Sequence, residues 1–233
     1  MVVSRSIPPL SRLTWRRTFR IVPSRYPPID LFERIANPAD WGDLVALEML
    51  TNPRVRDELG EITLVPVDRR VSGPGASWVM AAFTHPNPRG SRFSDGSFGV
   101  YYAGNSQEVA IAETVHHMGK FYAATSDPPH REDMQVLVGA IDADLHDIRS
   151  GTQWQPAHDP DDYSDSQALA KSLRSGSNGI AYNSVRYRGG ENLAAFWPDV
   201  VKLPIQGSHL QYDWDGSKIA SYYDYSLDTW FDL

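Results

Sequence analysis

Gly90-Ser-Arg-Phe-Ser-Asp-Gly-Ser-Phe-Gly-Val-Tyr-Tyr-Ala-Gly-Asn-Ser-Gln-Glu-Val-Ala-Ile-Ala-Glu-Thr-Val-His-His117 reads as a turn, a strand and a helix in immediate succession. Gly90, Gly96 and Gly99 mark the turn. Val100–Ala103 is the strand, and its Tyr101 and Tyr102 point to opposite faces, so one belongs to the core and the other to a cleft. Asn105 with Glu108 three residues later is the pair that can satisfy a helix's first free N–H groups. The spacing predicts a helix to about Tyr122, with Val109, Ala112, Val115 and Met118 as its buried stripe. A cation (Arg92), an aromatic face and a helix-borne carboxylate (Glu113) delivered together suit a nucleotide, whose phosphates, ring and sugar must all be gripped.

Outward from this stretch, Thr14–Val22 alternates like a half-buried strand and stops at Pro23 and the Tyr26-Pro-Pro28 turn. Residues 40–51 predict a short amphipathic helix and Glu61–Val67 a strand. Residues 68–98 are rich in Gly, Pro, Ser and Asn, with Ser77–Phe83 as a short helix or strand inside them. Downstream come a strand at Met134–Ile141, a helix over Asp165–Ser175 closed by Gly176, and strands at Gly179–Val185, Leu193–Trp197 and Val201–Ile205. The tail, His209–Trp214 and Lys218–Tyr225 around Asp215-Gly216, predicts a hairpin. Strands outnumber helices without regular βαβ alternation, so the expected class is α+β with a mixed or antiparallel β core and a few helices. No linker or repeat splits the chain, and a single domain over 1–233 is expected.

The chain has 233 residues, 41% hydrophobic and 22% charged, which is ordinary for a folded domain with a sizeable core. No apolar run approaches bilayer length and no signal segment opens the chain, so no membrane partner is expected and the cytoplasm fits best. The absence of cysteine excludes disulfides, thiolate catalysis and cysteine-bound metals. Six arginines and no acid precede Asp30, while the remainder carries 16 basic against 29 acidic residues. So acidic a body argues against direct nucleic-acid binding.

Arg92 in its glycine turn can pair with phosphate oxygens, although Arg89 shares the loop and residue type alone does not choose between them. Glu113 lies beside the apolar stripe of its helix, where a carboxylate either rims the buried face or stabilises an oxocarbenium-like sugar cation. Glu113 and His116 share a helix face, but no second ligand helix accompanies them and no metal is expected. Gly179-Ile-Ala-Tyr-Asn-Ser184-Val-Arg186 and the following Gly189-Gly-Glu-Asn192 gather a polar patch at a strand end. A serine nucleophile is not supported there, since Gly-x-Ser-x-Gly is absent.

Taken together, Ser91-Arg92-Phe93, Val100-Tyr-Tyr102-Ala103, Ala110-Ile-Ala-Glu113 and Ser184 resemble the RES-domain family, named for an arginine, a glutamate and a serine. The intervals Arg92 to Tyr102 and Tyr102 to Glu113 match the family's, and Phe19-Arg20-Ile21 is similar to its first-strand arginine. The resemblance runs from about Thr14 to Pro204, with an insertion around 30–90 and an extension over 205–233. It implies an ADP-ribosyltransferase-like fold and a toxin that degrades NAD+ at the nicotinamide–ribose bond, by phosphorolysis or hydrolysis. NAD+ would be substrate, with phosphate among the acceptors and no metal. The partner implied is a small Xre-type helix-turn-helix antitoxin that blocks the active site, and homo-oligomers stay open. On the same ground Arg20 and Arg92 hold the pyrophosphate, Tyr102 stacks on nicotinamide, Glu113 stabilises the ribosyl cation and Ser184 lines the nicotinamide-ribose end. A mono-ADP-ribosyltransferase modifying a cellular protein and a non-catalytic NAD-binding module remain as alternatives. Residues 68–90 would serve docking in the first of these.

Overall fold

A computed structural model describes residues 7–26, 29, 32–33, 37–42 and 59–233. Eight strands form one mixed sheet: β1 (Leu10–Pro23), β2 (Tyr101–Gly104), β3 (His130–Asp147), β4 (Gly179–Asn183), β5 (Glu191–Ala195), β6 (Ile205–Trp214), β7 (Ile219–Asp224) and β8 (Thr229–Asp232). β1 bonds to β2 on one side and β3 on the other, while β3 meets β4 and β2 meets β5. With the β4–β5 pairing, β1–β2–β5–β4–β3 closes into a ring. Among the described residues only β3 with β4 is parallel, and β6, β7 and β8 continue antiparallel from β3 as a wing. The expected α+β class with a mixed β core is the class found.

The register of β1 decides which face its residues serve. Trp15 pairs with Ile141 and Thr18 with Gly139, so β1 carries one residue more than β3 across that step. Such a bulge flips the side chains beyond it. Before it Leu13 joins the core of Tyr101, Ile141 and Leu145; after it Phe19 and Ile21 join the opposite core of Met134, Val136 and Leu210.

Among the described residues three helices of nine residues or more cover the two faces. α1 (Ala76–Thr84) packs Val79, Met80 and Phe83 with Phe32 and Trp41 against the Tyr101 face. Each such fully buried side chain contributes about 1.5–3 kcal/mol. Gly75 precedes α1 at φ 88°, and a Cβ there would lie 2.3 Å from the Pro204 carbonyl oxygen. α2 (Gln107–Thr125) lays Ala110, Ile111 and Tyr122 on the opposite face, against Phe19, Ile21 and the wing. α3 (Ser164–Leu173) packs Leu169, Ala170 and Leu173 on Ile180, Tyr182, Ala194 and Phe196. No helix among the described residues is long and apolar enough to cross a membrane.

Several expectations are corrected. Residues 62–64 and 67–69 are short 3-10 turns instead of a strand, because the backbone closes on itself from Leu64 N to Glu61 O and from Arg69 N to Pro66 O. The cap of α2 is Ser106, whose hydroxyl accepts from Val109 N; Asn105 instead exchanges hydrogen bonds with Glu191. The face that α2 lays on the sheet runs Ile111, Val115, Met118 and Tyr122, so the expected Val115 and Met118 belong to it, partly buried, while Ala112 gives way to Ile111. Val201 makes one isolated bridge to Ile141, and the strand begins beyond Pro204, which has no N–H to donate. The tail hairpin is present, and β8 adds a strand that the sequence did not announce. The helix expected over 40–51 falls mainly outside the described residues.

Candidate active site

Glu113 stands two turns into α2, with 20% of its side chain exposed. Its Oε1 accepts from the Ser184 hydroxyl at 2.7 Å and from Asn192 Nδ2 at 2.8 Å. The antiparallel pairing of Asn183 with Glu191 brings those donors together, since Ser184 follows β4 while the buried Asn192 lies within β5. The Ser184 oxygen also accepts from the backbone N–H groups of Arg186 (3.2 Å) and Tyr187 (3.0 Å). Its lone pairs being engaged, its single proton is directed at the carboxylate. Ser184 therefore orients Glu113 and is not set up to attack. The second carboxylate oxygen lies 3.9 Å from His117 Nε2.

Arg92 is 6% exposed, and the turn that carries it is fastened by Tyr102. The phenol oxygen lies 2.8 Å from Ser91 Oγ and accepts from Phe93 N at 2.9 Å, gripping both neighbours of Arg92. Burial pushes this phenol up to about 12, so it stays protonated at neutral pH. From α3, Ser166 Oγ donates to the Arg92 carbonyl at 2.6 Å and Gln167 Nε2 to that of Ser91 at 2.9 Å. The guanidinium sits 4.6 Å from the Tyr163 ring centroid, its Nη1 donating to the carbonyls of Ala157 (3.2 Å) and Asp159 (2.7 Å). Arg89 is exposed, so of the two loop arginines Arg92 is the one built into the fold.

The same ledge of carbonyls reaches a second arginine. Arg186 Nη2 donates to the Pro160 carbonyl, and the exposed Asp161 carboxylate lies 4.0 Å away. On α2, His116 is held neutral, its pKa lowered to about 4 by burial and then by Arg186. Burial also lowers His117, with Glu113 opposing that shift and Arg186 and Arg92 adding to it. His158 ties the ledge to β4: its Nδ1 lies 3.1 Å from the Trp154 carbonyl oxygen and its Nε2 accepts from Asn183 N at 3.2 Å. That pair of bonds requires the neutral Nδ1–H tautomer, and burial lowers the pKa accordingly.

The structure thus brings Arg92, Tyr102, Glu113 and Ser184 to one side of the sheet, the seam between α2 and α3. It does not bring Arg20 there. Beyond the β1 bulge Arg20 pairs with Leu137 and lies on the Tyr101 face. Its guanidinium sits 4.8 Å from the Tyr101 ring centroid and donates to the Tyr102 carbonyl oxygen at 3.1 Å. Arg20 therefore does not stand beside Arg92 in the structure. Tyr101 is the core tyrosine and Tyr102 the half-buried one. Asn192 and Arg186 are the additions: both stand in the polar stretch of the sequence, yet nothing in the pattern of residues pointed to the carboxylate or the ledge they contact. Among the described residues no group of three or more His, Asp or Glu is placed to hold a metal ion.

The sequence profile of the RES domain matches residues 67–215, a span that holds Arg92, Tyr102, Glu113, Ser184, Arg186 and Asn192 but not Arg20. The chain is also similar to the uncharacterized protein y4oC of Sinorhizobium fredii (strain NBRC 101917 / NGR234). The two are 28% identical over 207 residues, covering 88% of this chain and 86% of that protein.

Proposed function

This chain belongs to the RES-domain family, and on that premise we propose that it is an enzyme that consumes NAD+ by cleaving the nicotinamide–ribose N-glycosidic bond. The family is known in toxin–antitoxin contexts, which makes a toxin neutralised by a cleft-blocking helix-turn-helix antitoxin the biological setting of this reading. The observation that carries the proposal is the Glu113 carboxylate, fixed by Ser184 and Asn192, with the buried Arg92 acting on the same His117 as that carboxylate. An anion held rigidly by donors on one oxygen is suited to stabilise positive charge on the other side. In the ring sheet with its helices on both faces we read an ADP-ribosyltransferase-like fold.

In the reaction the C1′–N bond breaks, and its electron pair leaves with nicotinamide, which departs neutral. The ribosyl carbon becomes cationic. Glu113 Oε2, the oxygen free of Ser184 and Asn192, faces that charge. Water or phosphate then donates an oxygen lone pair to C1′ and loses its proton to solvent or a nearby base. Arg92 would hold phosphate oxygens, and Tyr102 keeps the Arg92 turn in place while offering its half-buried ring to nicotinamide.

The test is direct. Purified chain is incubated with NAD+, with and without phosphate, and free nicotinamide is followed. Turnover is expected, and Glu113→Ala should lower it at least a thousandfold, since each tenfold is ~1.4 kcal/mol of transition-state stabilisation. No nicotinamide under either condition, or full activity in Glu113→Ala, refutes the reading. Label from NAD+ appearing on a protein band in an extract would assign the transfer to a protein acceptor instead.

A further inference from the structure

Arg92 and Arg186 share an unusual electrostatic situation. Both side chains are largely covered, at 6% exposure for the Arg92 residue and 16% for the Arg186 side chain. Among the described residues neither has a carboxylate nearer than the 4.0 Å separating Arg186 from Asp161. Asp161 is 76% exposed and is itself engaged by Lys120 at 3.3 Å. What holds the two guanidiniums is a single run of backbone: the carbonyls of Ala157 and Asp159 take Arg92 Nη1, and that of Pro160 takes Arg186 Nη2. Carbonyl oxygens orient a cation but do not neutralise it, and a covered charge whose nearest carboxylate is distant and exposed is costly.

Both side chains keep donors in reserve. Arg186 Nε is buried with no hydrogen-bond partner among the described residues, and so is His116 Nε2 on the facing helix. Arg92 spends only Nη1 on the ledge in the bonds described. A forked donor pair of this kind matches the oxygens of a phosphate, and two forks on one ledge match two linked phosphates. We infer that Arg92 and Arg186 form one clamp for the diphosphate of a dinucleotide, with Arg186 in the place that the family resemblance gave to Arg20.

This inference deepens the proposed NAD+ reaction and rests on it for the identity of the dinucleotide, while the clamp itself is a matter of phosphate binding. His116 and His117, facing Arg186 from α2, are neutral at pH 7 and add no competing charge, while Lys120 adds to the positive field on both. The one carboxylate of the cluster that points into it from α2 is Glu113, already committed to Ser184 and Asn192.

The experiment is calorimetric titration of the purified chain with inorganic pyrophosphate, ADP-ribose and orthophosphate. It is run on the natural protein and on Arg186→Gln, Arg186→Lys and Arg20→Gln, each checked for folding by thermal unfolding. Pyrophosphate and ADP-ribose are expected to bind the natural chain, to weaken at least tenfold in Arg186→Gln, and to stay within twofold in Arg20→Gln. Arg186→Lys, which keeps the charge but loses the fork, should fall between; should Arg186→Gln not fold, this variant decides. Binding that is unchanged in the Arg186 variants, or a loss confined to Arg20→Gln, overturns the clamp. So does a natural chain that binds none of the three probes. Orthophosphate binding as tightly as pyrophosphate through Arg186 assigns the site to a free phosphate and overturns the diphosphate. Arg186-dependent pyrophosphate binding without nicotinamide release from NAD+ upholds the clamp and refutes the proposed reaction.

Discussion

Tyr102→Phe removes one oxygen and leaves the ring. That oxygen is the shared partner of Ser91 Oγ at 2.8 Å and Phe93 N at 2.9 Å. Ser91 is half-buried and can turn its hydroxyl to water, so its loss is small. Phe93 is fully buried, packed edge-on against Tyr182 with ring centroids 4.8 Å apart, and no water replaces the phenol. A buried N–H left without an acceptor costs about 1–3 kcal/mol. The expected destabilisation is therefore about 2 kcal/mol, which lowers the melting temperature by about 4–8 °C in a chain of this size. The loss is local to the Arg92 turn. Amide hydrogen exchange should accelerate at Phe93 by about thirtyfold while α2 and β3 exchange with only the global change. Unfolding in urea with the Phe93 amide followed by mass spectrometry or NMR measures both. An unchanged midpoint together with unchanged Phe93 exchange refutes the reasoning that the phenol fastens this turn.

Gly75→Ala places a methyl 2.3 Å from the Pro204 carbonyl at a φ of 88°, and should destabilise by about 2–3 kcal/mol in chemical denaturation. In a double-mutant cycle, Ser184→Ala and Asn192→Ala should couple in nicotinamide release, since both donors hold the same Glu113 oxygen. Strictly additive effects would deny them that common role. His116, His117 and His158 all have lowered pKa values in the fold, so the unfolded chain takes up their protons first. Their contribution is complete above about pH 6.5 and is lost as pH falls through the folded values, which for His116 is about 4. Urea midpoints should decline through this window, and less steeply in His158→Gln. A flat profile would contradict the neutral tautomer assigned to His158.

Much of the site was legible because its parts are local. The Gly90 turn, the strand of Tyr101 and Tyr102, and the helix bearing Glu113 follow one another in the chain, and period-two alternation put the two tyrosines on opposite faces without saying which is core. Arg20 was set beside Arg92 by the family resemblance, and the β1 bulge decides which way its side chain goes. A single extra residue in β1 reverses the facing of everything after Trp15, and nothing in Thr-Trp-Arg-Arg-Thr-Phe-Arg advertises where a bulge sits. Arg186 follows the strand of Gly179–Asn183, but its partner is the backbone carbonyl of Pro160, and carbonyls leave no trace in residue type. The apolar letters of Ile62, Leu64, Val65 and Val67 resemble a strand, yet the hydrogen bonds around Glu61 and Pro66 are local, so the run curls. Long-range register and backbone acceptors lie beyond pattern; turn, cap and period lie within it.

The ring of strands also sets an order of events during synthesis. Leu10 in β1 finds His146 only after β3 has been made, and β2 waits for Ala195 and Asn192 before its second neighbour exists. Pairings of such separation form late. The last donor to Glu113 is Asn192, so a growing chain holds its arginine turn, its carboxylate helix and its carbonyl ledge as unjoined pieces. The cleft cannot close before β5, which lies between β2 and β4, has been made. Ribosome-bound chains halted before residue 192 should accordingly show neither Phe93 protection nor pyrophosphate binding, however long they are given to fold.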